Sequence, residues 1–491
     1  AHKSSGKTTV SLGLCAALRN RGLAVQPFKK GPDYIDPMWL GLASGRDCHN
    51  LDFYLMSREE ILATFAGRSR GAGISIIEGN KGLYDGLDLD GSNSNAALAT
   101  LLRTPVVLVI DARGMTRGIA PLILGYQAFD IDLQIAGVIL NRLGGSRHES
   151  KLRAVIEHYT DVPVLGAVHN DPQLEIVERH LGLMPSNESS EAISRIAIIA
   201  ERIAAQVDLD RLQAIAANVP TLVFDDSRQP ALTPAPLPSS PSPPSPLPQA
   251  GEGSEPLRAY ARTSFTRGEG NRVRLGIARD EAFGFYYPGD LEALTSAGAE
   301  LVPFNTLRDS RLPTVDGLFI GGGFPEMRLD QLAANKTLRA DIHAAIENGL
   351  PTYAECGGLM YLTRAIRWQD RRAEMVGVIP AETVMEKHPQ GRGYVRLRET
   401  GQGPWPPATP GDQPAEIPAH EFHYSRLEGL PPGQTWAYEV LRGAGCDGRH
   451  DGLIHKNLLA CYCHQRDLAG NHWATRFVGF VRDRKSRATG R

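Results

Sequence analysis

A proline-rich tract divides this sequence into two parts that must fold separately. Residues 230–248 hold nine of the chain's 34 prolines, interleaved with serine, alanine and leucine. Proline lacks a backbone N–H, and no hydrophobic period of a helix or strand survives there. The tract has too little apolar surface to offset the entropy of ordering it. It therefore predicts a linker over 223–271, between an N-terminal block at 1–222 and a C-terminal block at 272–491.

Both blocks contain short apolar runs separated by helical patterns. Such runs, bounded by Gly, Asp or Asn, predict buried strands of a parallel sheet connected by helices. The predicted strands span residues 74–78, 105–111, 135–141, 163–168, 274–278, 300–303, 317–320 and 351–354. We therefore predict an α/β fold for each block, with ligands bound at the carboxyl ends of the strands.

Composition limits the classes of partner. The 53 Lys and Arg nearly balance the 55 Asp and Glu, and the net charge of −2 excludes a strongly basic nucleic-acid surface. No window approaches the run of about 18 apolar residues that a membrane span needs. Six cysteines in 491 residues are too few for a disulfide framework and favour the reducing cytoplasm. We expect small-molecule substrates, and the sequence leaves a homo-oligomer open.

The first residues resemble part of a phosphate-binding loop. The string from Gly6 to Thr9 reads Gly-Lys-Thr-Thr and precedes an amphipathic run. Backbone N–H groups at such a helix start can hold phosphate, with Lys7 reaching the β- and γ-phosphates of ATP and Thr8 offering its hydroxyl to Mg²⁺. The start of an ordinary helix is the alternative. Ala1 stands where the motif's first glycine belongs and the preceding strand is absent, so we expect the sequence to begin inside this motif.

Other polar residues of the N-terminal block also follow predicted strands. Glu78 ends one strand before a glycine-rich string, a position that suits a second Mg²⁺ ligand or a solvated loop acid. Asn141 ends another strand and could read an adenine edge, although Asn is also common in turns. Four weaker candidates for substrate contacts lie in charged, loop-forming segments that are equally typical of surface turns: Lys30, Asp33, Tyr34 and Asp85.

The C-terminal block carries a candidate nucleophile. Cys356 lies between a predicted strand and a helical run, and Gly357 and Gly358 follow it. This pattern is typical of a nucleophile elbow, a sharp turn that exposes the reacting atom at the start of a helix. The helix N-terminus would also favour the thiolate. A buried structural cysteine is the alternative.

A nucleophilic cysteine needs an oxyanion site and a base. The cluster that includes Gly322 and Gly323 follows a predicted strand, and its backbone N–H groups could stabilise an oxyanion. Three histidines are candidates for the base: His420, His423 and His464. The residue pattern leaves the choice among them open.

Taken together, these strings resemble the cobyrinic acid a,c-diamide synthase family of corrinoid biosynthesis. The resemblance lies in residues 30–37, 78–86, 137–142, 354–362 and 420–425. They occur in the family's order along nearly the whole chain outside the linker. The resemblance implies a dethiobiotin-synthetase-like P-loop domain joined to a class I glutamine amidotransferase domain. The chain would then be a glutamine-hydrolysing carbon–nitrogen ligase.

The resemblance also implies a reaction and roles for residues. ATP, with Mg²⁺, would phosphorylate the a- and c-acetate carboxylates of cobyrinic acid, and ammonia from glutamine would displace phosphate to leave amides. Cys356 would attack glutamine and His464 would activate it, with the oxyanion held near Gly322 and Gly323. This group of amidotransferases lacks the usual acidic third member, so none is named. Where the family often has a second histidine, this chain has Arg466.

Several rival interpretations stay open. Hydrogenobyrinic acid, which lacks cobalt, could be the substrate, and a nickel-sirohydrochlorin relative is also compatible with the residues. Cobyric acid synthase joins the same two modules to amidate four other carboxylates, but the strings at 30–37 and 420–425 favour the diamide enzymes. A P-loop partitioning ATPase would explain only 1–150, and a cysteine hydrolase only 272–491.

Overall fold

A computed structural model describes residues 2, 4–176, 178–179, 182–189, 191–220, 272–408 and 414–489. The predicted linker at 223–271 and the first residue, Ala1, lie outside these ranges. Both blocks combine helices with parallel strands, so the α/β prediction is confirmed.

The N-terminal block alternates helices with strands. Its helices are α1 (Lys7–Asn20), α2 (Ile35–Ser44), α3 (Arg58–Ser69), α4 (Asn95–Leu102), α5 (Ile119–Phe129), α6 (Ser146–Tyr159), α7 (Ala192–Gln206) and α8 (Leu209–Ala217). Its strands are β1 (Val25–Lys30), β2 (His49–Leu51), β3 (Ile74–Glu78), β4 (Val106–Asp111), β5 (Ile135–Leu143), β6 (Val164–His169), β7 (Glu178–Arg179) and β8 (Gly182–Leu183).

Two parallel sheets form the centre of this block, in the orders β2-β1-β3 and β4-β5-β6. Strand β1 is buried along its whole length, as expected for a parallel strand with both faces covered. The strand registers place Lys29 beside Glu78 and Asp111 beside Asn141. Polar residues therefore gather at the carboxyl ends of the strands, where the phosphate loop also lies.

The C-terminal block begins at Arg272. Its helices are α9 (Pro288–Ser296), α10 (Leu329–Ala334), α11 (Lys336–Glu347), α12 (Gly357–Leu362) and α13 (Trp473–Thr489). Its strands are β9 (Val273–Ala278), β10 (Phe283–Phe285), β11 (Ala299–Phe304), β12 (Gly317–Ile320), β13 (Gly322–Gly323), β14 (Thr352–Glu355), β15 (Thr363–Trp368), β16 (Arg371–Glu374), β17 (Ile379–Met385), β18 (Gly391–Glu399), β19 (Glu416–His423), β20 (Ser425–Glu428), β21 (Thr435–Arg442), β22 (His450–His455) and β23 (Leu458–Cys461). None of the helices described in either block is long and apolar enough to cross a membrane.

A nine-stranded sheet runs through this block in the order β11-β9-β12-β14-β23-β22-β21-β18-β19. Strands β11 to β23 in that order are parallel, and the remaining four are antiparallel. The sequence predicted strands only in the parallel half. The antiparallel half and a second sheet, β16-β15-β17-β20, lie outside that prediction. Their strands are only half buried, as the alternating burial of β18 shows, and so contain no continuous apolar run.

An aromatic cluster packs helix α13 against the parallel strands. The ring of Phe319 stacks on Tyr353 at 5.3 Å, and Trp473 lies 4.9 Å from Tyr353. Phe477, one turn further along α13, is fully buried in the same cluster. This packing fixes strand β14, which leads directly to Cys356.

The two blocks are in contact through side chains of the first hundred residues. The rings of Tyr54 and Tyr394 stack at 4.4 Å, and the Tyr394 hydroxyl donates a 2.5 Å hydrogen bond to Asp52. Arg68 forms an ion pair with Glu292. These contacts bring the carboxyl ends of β1 and β2 towards the C-terminal block.

The aromatic cluster gives a prediction for stability. Phe477→Ala removes a fully buried ring and should lower the free energy of unfolding by about 3–5 kcal/mol. Phe129→Ala is the matched control: its ring is 76% exposed, and its effect should stay within about 0.5 kcal/mol. Urea unfolding followed by tryptophan fluorescence measures both. Equal losses of unfolding free energy in Phe477→Ala and Phe129→Ala would contradict the packing of Phe477 in this cluster.

Candidate active site

The phosphate-binding string leads directly into helix α1. Gly6 has a φ of 86°, a left-handed conformation that glycine adopts without strain. A side chain at Gly6 would overlap the amide of Asn141. That amide donates a 2.9 Å hydrogen bond to the backbone carbonyl of Ser5. Asn141 thus supports the loop, whereas the sequence suggested an adenine contact, and that contact stays a prediction.

Lys7, Thr8 and Thr9 form the first turn of α1. Lys7 Nζ donates a 2.9 Å hydrogen bond to the carbonyl of His2, and burial lowers the pKa of Lys7. The Thr8 hydroxyl donates a 2.7 Å hydrogen bond to Glu78 Oε1. The structure therefore brings the two predicted Mg²⁺ ligands together from α1 and the end of β3.

Lys29 and Asp36 complete a buried charge cluster that the sequence reasoning missed. Lys29 Nζ lies 2.7 Å from Glu78 Oε1 and 2.5 Å from Asp36 Oδ2. Burial by itself would lower the pKa of Lys29, but the carboxylates of Asp36, Glu78 and Asp33 outweigh it and raise that pKa well above its ordinary value. The sequence analysis predicted no strand at β1, so the burial of Lys29 became visible only in the structure.

This cluster has the donors that Mg²⁺ prefers. Glu78 Oε2 is buried, and it has no hydrogen-bond partner within the described ranges. A divalent cation would satisfy that oxygen, and the Thr8 hydroxyl and the Asp36 carboxylate supply further hard oxygen atoms. The described residues contain no group of three or more His, Cys, Asp or Glu that could hold a metal. The residues therefore fit an ion held jointly by one or two protein ligands and phosphate oxygens.

Three of the weaker substrate candidates already have structural contacts. Burial lowers the pKa of Lys30 to about 8. Asp33 accepts a 2.9 Å hydrogen bond from the backbone N–H of Ile35 at the start of α2. Asp85 is exposed and accepts a 2.8 Å hydrogen bond within its own loop. Their roles towards a substrate stay predictions.

The turn at Cys356 has the geometry of a nucleophile elbow. Cys356 has φ 48° and ψ −103° and connects β14 to α12. A Cβ on Gly358 would overlap the carbonyl oxygen of Ile320, and one on Gly357 would lie 2.8 Å from the carbonyl oxygen of Gly323. Both positions therefore require glycine, because the helix start passes too close to the neighbouring strand for a side chain.

His464 is the imidazole next to Cys356. It follows strand β23 and is 3% exposed. Its Nδ1 lies 3.2 Å from Oε2 of Glu355, and the Cys356 thiol is close enough to act on the charge of the ring. Burial by itself would lower the pKa of His464, but the interactions with Cys356 and Glu355 outweigh it and raise that pKa to about 10. The imidazole is therefore protonated at neutral pH.

The other two candidate histidines have different surroundings. The ring of His420 stacks on His464 at 5.0 Å, and burial lowers the pKa of His420 well below its ordinary value. His420 is therefore a neutral ring that packs against the charged one. His423 Nδ1 donates a 2.8 Å hydrogen bond to the carbonyl of Ser425, and its ring stacks on Tyr462. Of the three histidines, the structure brings His464 to Cys356.

The predicted oxyanion glycines lie beside this pair. A Cβ on Gly322 would stand 2.7 Å from Cε1 of His464. The backbone nitrogen of Gly323 lies 2.9 Å from the place that a Cβ on Gly357 would take. Backbone from β13 thus reaches the start of α12 next to the thiol. The oxyanion role itself stays a prediction.

Tyr34 enters this site from the N-terminal block. Its ring lies 5.1 Å from the ring of His464 and stacks on Phe285 at 5.4 Å. Tyr34 belongs to the loop between β1 and α2, and Asp36 of the charge cluster is two residues away. The sequence suggested a substrate contact for Tyr34. The structure instead places its ring against the imidazole of His464. The loop of Tyr34 and the first turn of α2 that follows it therefore contact the two candidate sites.

Two family models match the two blocks. Residues 3–183 match the CobQ/CobB/MinD/ParA nucleotide binding domain, and residues 274–471 match the CobB/CobQ-like glutamine amidotransferase domain. Together with the sites described above, these matches define a glutamine-dependent amide ligase that uses ATP.

Similar proteins are known along nearly the whole chain. A cobyrinate a,c-diamide synthase of Magnetococcus marinus is 45% identical over 99% of this chain and 96% of its own length. Proteins of the same name from Methanosarcina acetivorans and Archaeoglobus fulgidus are 41% and 40% identical, over 95% and 96% of this chain and 92% and 94% of their own lengths. The chain belongs to the cobyrinate a,c-diamide synthase family, and the resemblance in the motifs is confirmed.

The raised pKa of His464 predicts a pH dependence of stability. Because the folded-state value of about 10 exceeds the ordinary 6.5, the stabilisation is complete below pH 6.5 and is lost as the pH rises through 10. Between these values the free energy of unfolding should fall more steeply with pH than in His464→Gln, by up to about 1.4 kcal/mol per pH unit.

Urea unfolding at a series of pH values measures this slope. His388→Gln is the control, because His388 is an exposed histidine of the same block and its loss should leave the slope of the original protein. Equal slopes for His464→Gln and the unsubstituted protein would contradict the assignment.

Proposed function

We propose that this chain converts the a- and c-acetate carboxylates of cobyrinic acid to amides, with ATP as phosphoryl donor and glutamine as the source of ammonia. The observation that carries the proposal is the proximity of two sites: a thiol–imidazole pair at Cys356 and a phosphate loop at Lys7, connected by the loop of Tyr34. The names of the relatives supply the corrinoid substrate.

The two activities divide between the two blocks. Residues 1–222 would bind ATP and the corrinoid and carry out ligation. Residues 272–491 would hydrolyse glutamine, and 223–271 would tether the two. The cytoplasm is the compartment that this chemistry needs, because thiols stay reduced there.

In the glutamine site, Cys356 attacks the side-chain amide carbon of glutamine. His464 already holds the proton, so the sulfur attacks as the thiolate, and the carbonyl oxygen becomes an oxyanion that the backbone near Gly322 and Gly323 stabilises. His464 then protonates the amide nitrogen, the C–N bond breaks, and ammonia leaves a thioester on Cys356. Water, deprotonated by His464, hydrolyses the thioester to glutamate and restores the thiol.

In the ligase site, the substrate carboxylate must first be activated, because its oxygen atoms are too poor as leaving groups for ammonia to displace them. A carboxylate oxygen attacks the γ-phosphorus of ATP, ADP leaves, and an acyl phosphate forms. Ammonia attacks the acyl carbon, the C–O bond to phosphate breaks, and an amide and inorganic phosphate result. Lys7 would neutralise charge on the transferred group. Thr8 and Glu78 would hold Mg²⁺, whose charge would stabilise the negative charge of the phosphate groups.

Transfer between the sites must keep ammonia away from water and protons. Cys356 and His464 are both buried, and the ring of Tyr34, which belongs to the ligase block, lies 5.1 Å from the ring of His464. Ammonia released at Cys356 would therefore emerge beside the ligase block and not into solvent.

The substrate is tested with cobyrinic acid and hydrogenobyrinic acid side by side, each with ATP and glutamine, and the products are identified by mass. We expect cobyrinic acid to gain two amide groups. Amidation of hydrogenobyrinic acid alone would replace the proposed substrate by its cobalt-free form. If neither compound gains an amide, the proposal fails.

Two variants separate the two half-reactions. Cys356→Ala should abolish amidation with glutamine yet retain amidation with ammonium chloride, because only ammonia production needs the thiol. Lys7→Ala should lower amidation with either nitrogen source by at least about 100-fold, because ligation itself needs the phosphate loop. Loss of both activities in Cys356→Ala would indicate a structural cysteine, and full ligation in Lys7→Ala would contradict the phosphate site.

The position of Tyr34 predicts coupling between the sites. Tyr34→Ala should increase the glutamate released for each amide formed, because the ring that covers the ligase side of His464 is gone. Tyr34→Phe keeps the ring and should keep the ratio of the original protein. Glutamate and amide are measured in the same reaction. An unchanged ratio in Tyr34→Ala would contradict this role.

A further inference from the structure

We propose that Glu355, the residue immediately before the nucleophile, is the positioning acid for His464. The proposal deepens the proposed glutamine hydrolysis and rests on it. It supplies the acidic partner that the sequence pattern left without a candidate.

The contact itself is direct and buried. Oε2 of Glu355 lies 3.2 Å from Nδ1 of His464, and the two side chains are each 4% exposed. An ionised carboxylate at such depth is costly unless it is paired, so the pairing with a protonated imidazole is the state in which both groups are stable. The contact is thus an ion pair within the thiol site.

The second carboxylate oxygen is held independently. Oε1 of Glu355 accepts a 2.6 Å hydrogen bond from the Tyr353 hydroxyl and a 3.1 Å hydrogen bond from the backbone N–H of Gln465. Tyr353 is two residues back on the same strand, and Gln465 follows His464. These bonds fix the plane of the carboxylate, so that Oε2 is directed to the imidazole.

The strand register explains why these residues meet. Strands β14 and β23 are parallel neighbours, and Glu355 pairs with Cys461 at their carboxyl ends. The chain after β23 then carries His464 past Glu355, while the elbow after β14 directs the Cys356 side chain to the same ring. Two neighbouring residues at the end of one strand thus act on the same histidine.

The other nearby charged residues point elsewhere. Arg466, two residues after His464, lies over the ring of Tyr287 at 4.7 Å. Glu421 accepts hydrogen bonds from the backbone N–H groups of Ala444 and Gly445. Among the described residues, Glu355 is the carboxylate that accepts a hydrogen bond from His464.

The pairing defines the chemistry of the imidazole. Nδ1–H of His464 donates to Glu355, which leaves the Nε2 proton of the imidazolium to be passed to the departing nitrogen. The carboxylate orients the imidazolium and stabilises it, as the acidic partner does in other nucleophile–histidine pairs. Glu355 does not contact glutamine and acts only through His464.

The test compares Glu355→Gln with the unsubstituted protein, using glutamate release from glutamine without any corrinoid. We expect kcat to fall by about 10²–10⁴-fold with KM for glutamine little changed, because a donor amide facing Nδ1 favours the wrong tautomer. The basic limb of the pH profile of kcat/KM should move to lower pH, because the imidazolium has lost its carboxylate partner. Amidation with ammonium chloride should persist.

Three further variants make the result specific. Glu355→Asp retains a carboxylate. Its kcat and the pH of its basic limb should lie between those of Glu355→Gln and those of the unsubstituted protein. Tyr353→Phe removes one bond to Oε1 and should give a smaller loss in kcat than Glu355→Gln. Glu421→Gln removes an equally buried carboxylate of the same block and should leave kcat within about threefold of the original.

The outcomes separate this inference from the proposed function. Absence of glutamate release in the unsubstituted protein would overturn the glutamine hydrolysis itself. An active Glu355→Gln with an unchanged pH profile would overturn the role of Glu355 alone. If Glu355→Gln does not fold, the decision passes to Glu355→Asp and Tyr353→Phe: unchanged kcat and pH profiles in both would likewise overturn it.

Discussion

The backbone turn at Cys356 is the constraint on which the glutamine half of the structure depends. A non-glycine residue at φ 48° costs of the order of 1–3 kcal/mol and persists only where its surroundings fix it. Strands β12 and β23 flank β14 on both sides, and helix α12 starts against the carbonyl of Ile320 with no room for a side chain at Gly358. The packing of the sheet therefore stabilises this strained conformation, which places the Cys356 side chain near His464.

Both sites depend on buried charges that are paired between distant segments. Lys29 is neutralised by Asp36 and Glu78, and His464 by Glu355. A buried charge without its partner is strongly destabilising, so each pair ties the elements that carry it into one arrangement. The loop of Tyr34 connects the two sites, because Tyr34 contacts the imidazole and Asp36, in the turn of α2 that follows, belongs to the charge cluster.

Local strings were the most predictable parts of the site. The phosphate loop at Gly6, the elbow at Cys356 and the buried parallel strands each depend on a few consecutive residues, whose conformational and apolar requirements are visible in the sequence. The half-buried strands of the antiparallel half lack such a run, as β18 illustrates. Glu355 follows a predicted buried strand, where a charged side chain is recognisable as unusual but its partner is not. Lys29 lies in β1, which the sequence did not predict as a strand.

The sequence by itself determined the family, the α/β class of both blocks and the identity of the candidate nucleophile, because each is encoded in short motifs and apolar runs. Only the tertiary structure decided which histidine meets Cys356, which acid meets that histidine, and that Tyr34 lies at the glutamine site. The reason is physical. These contacts join residues more than a hundred positions apart, and strand order, register and burial bring them within hydrogen-bonding or stacking distance.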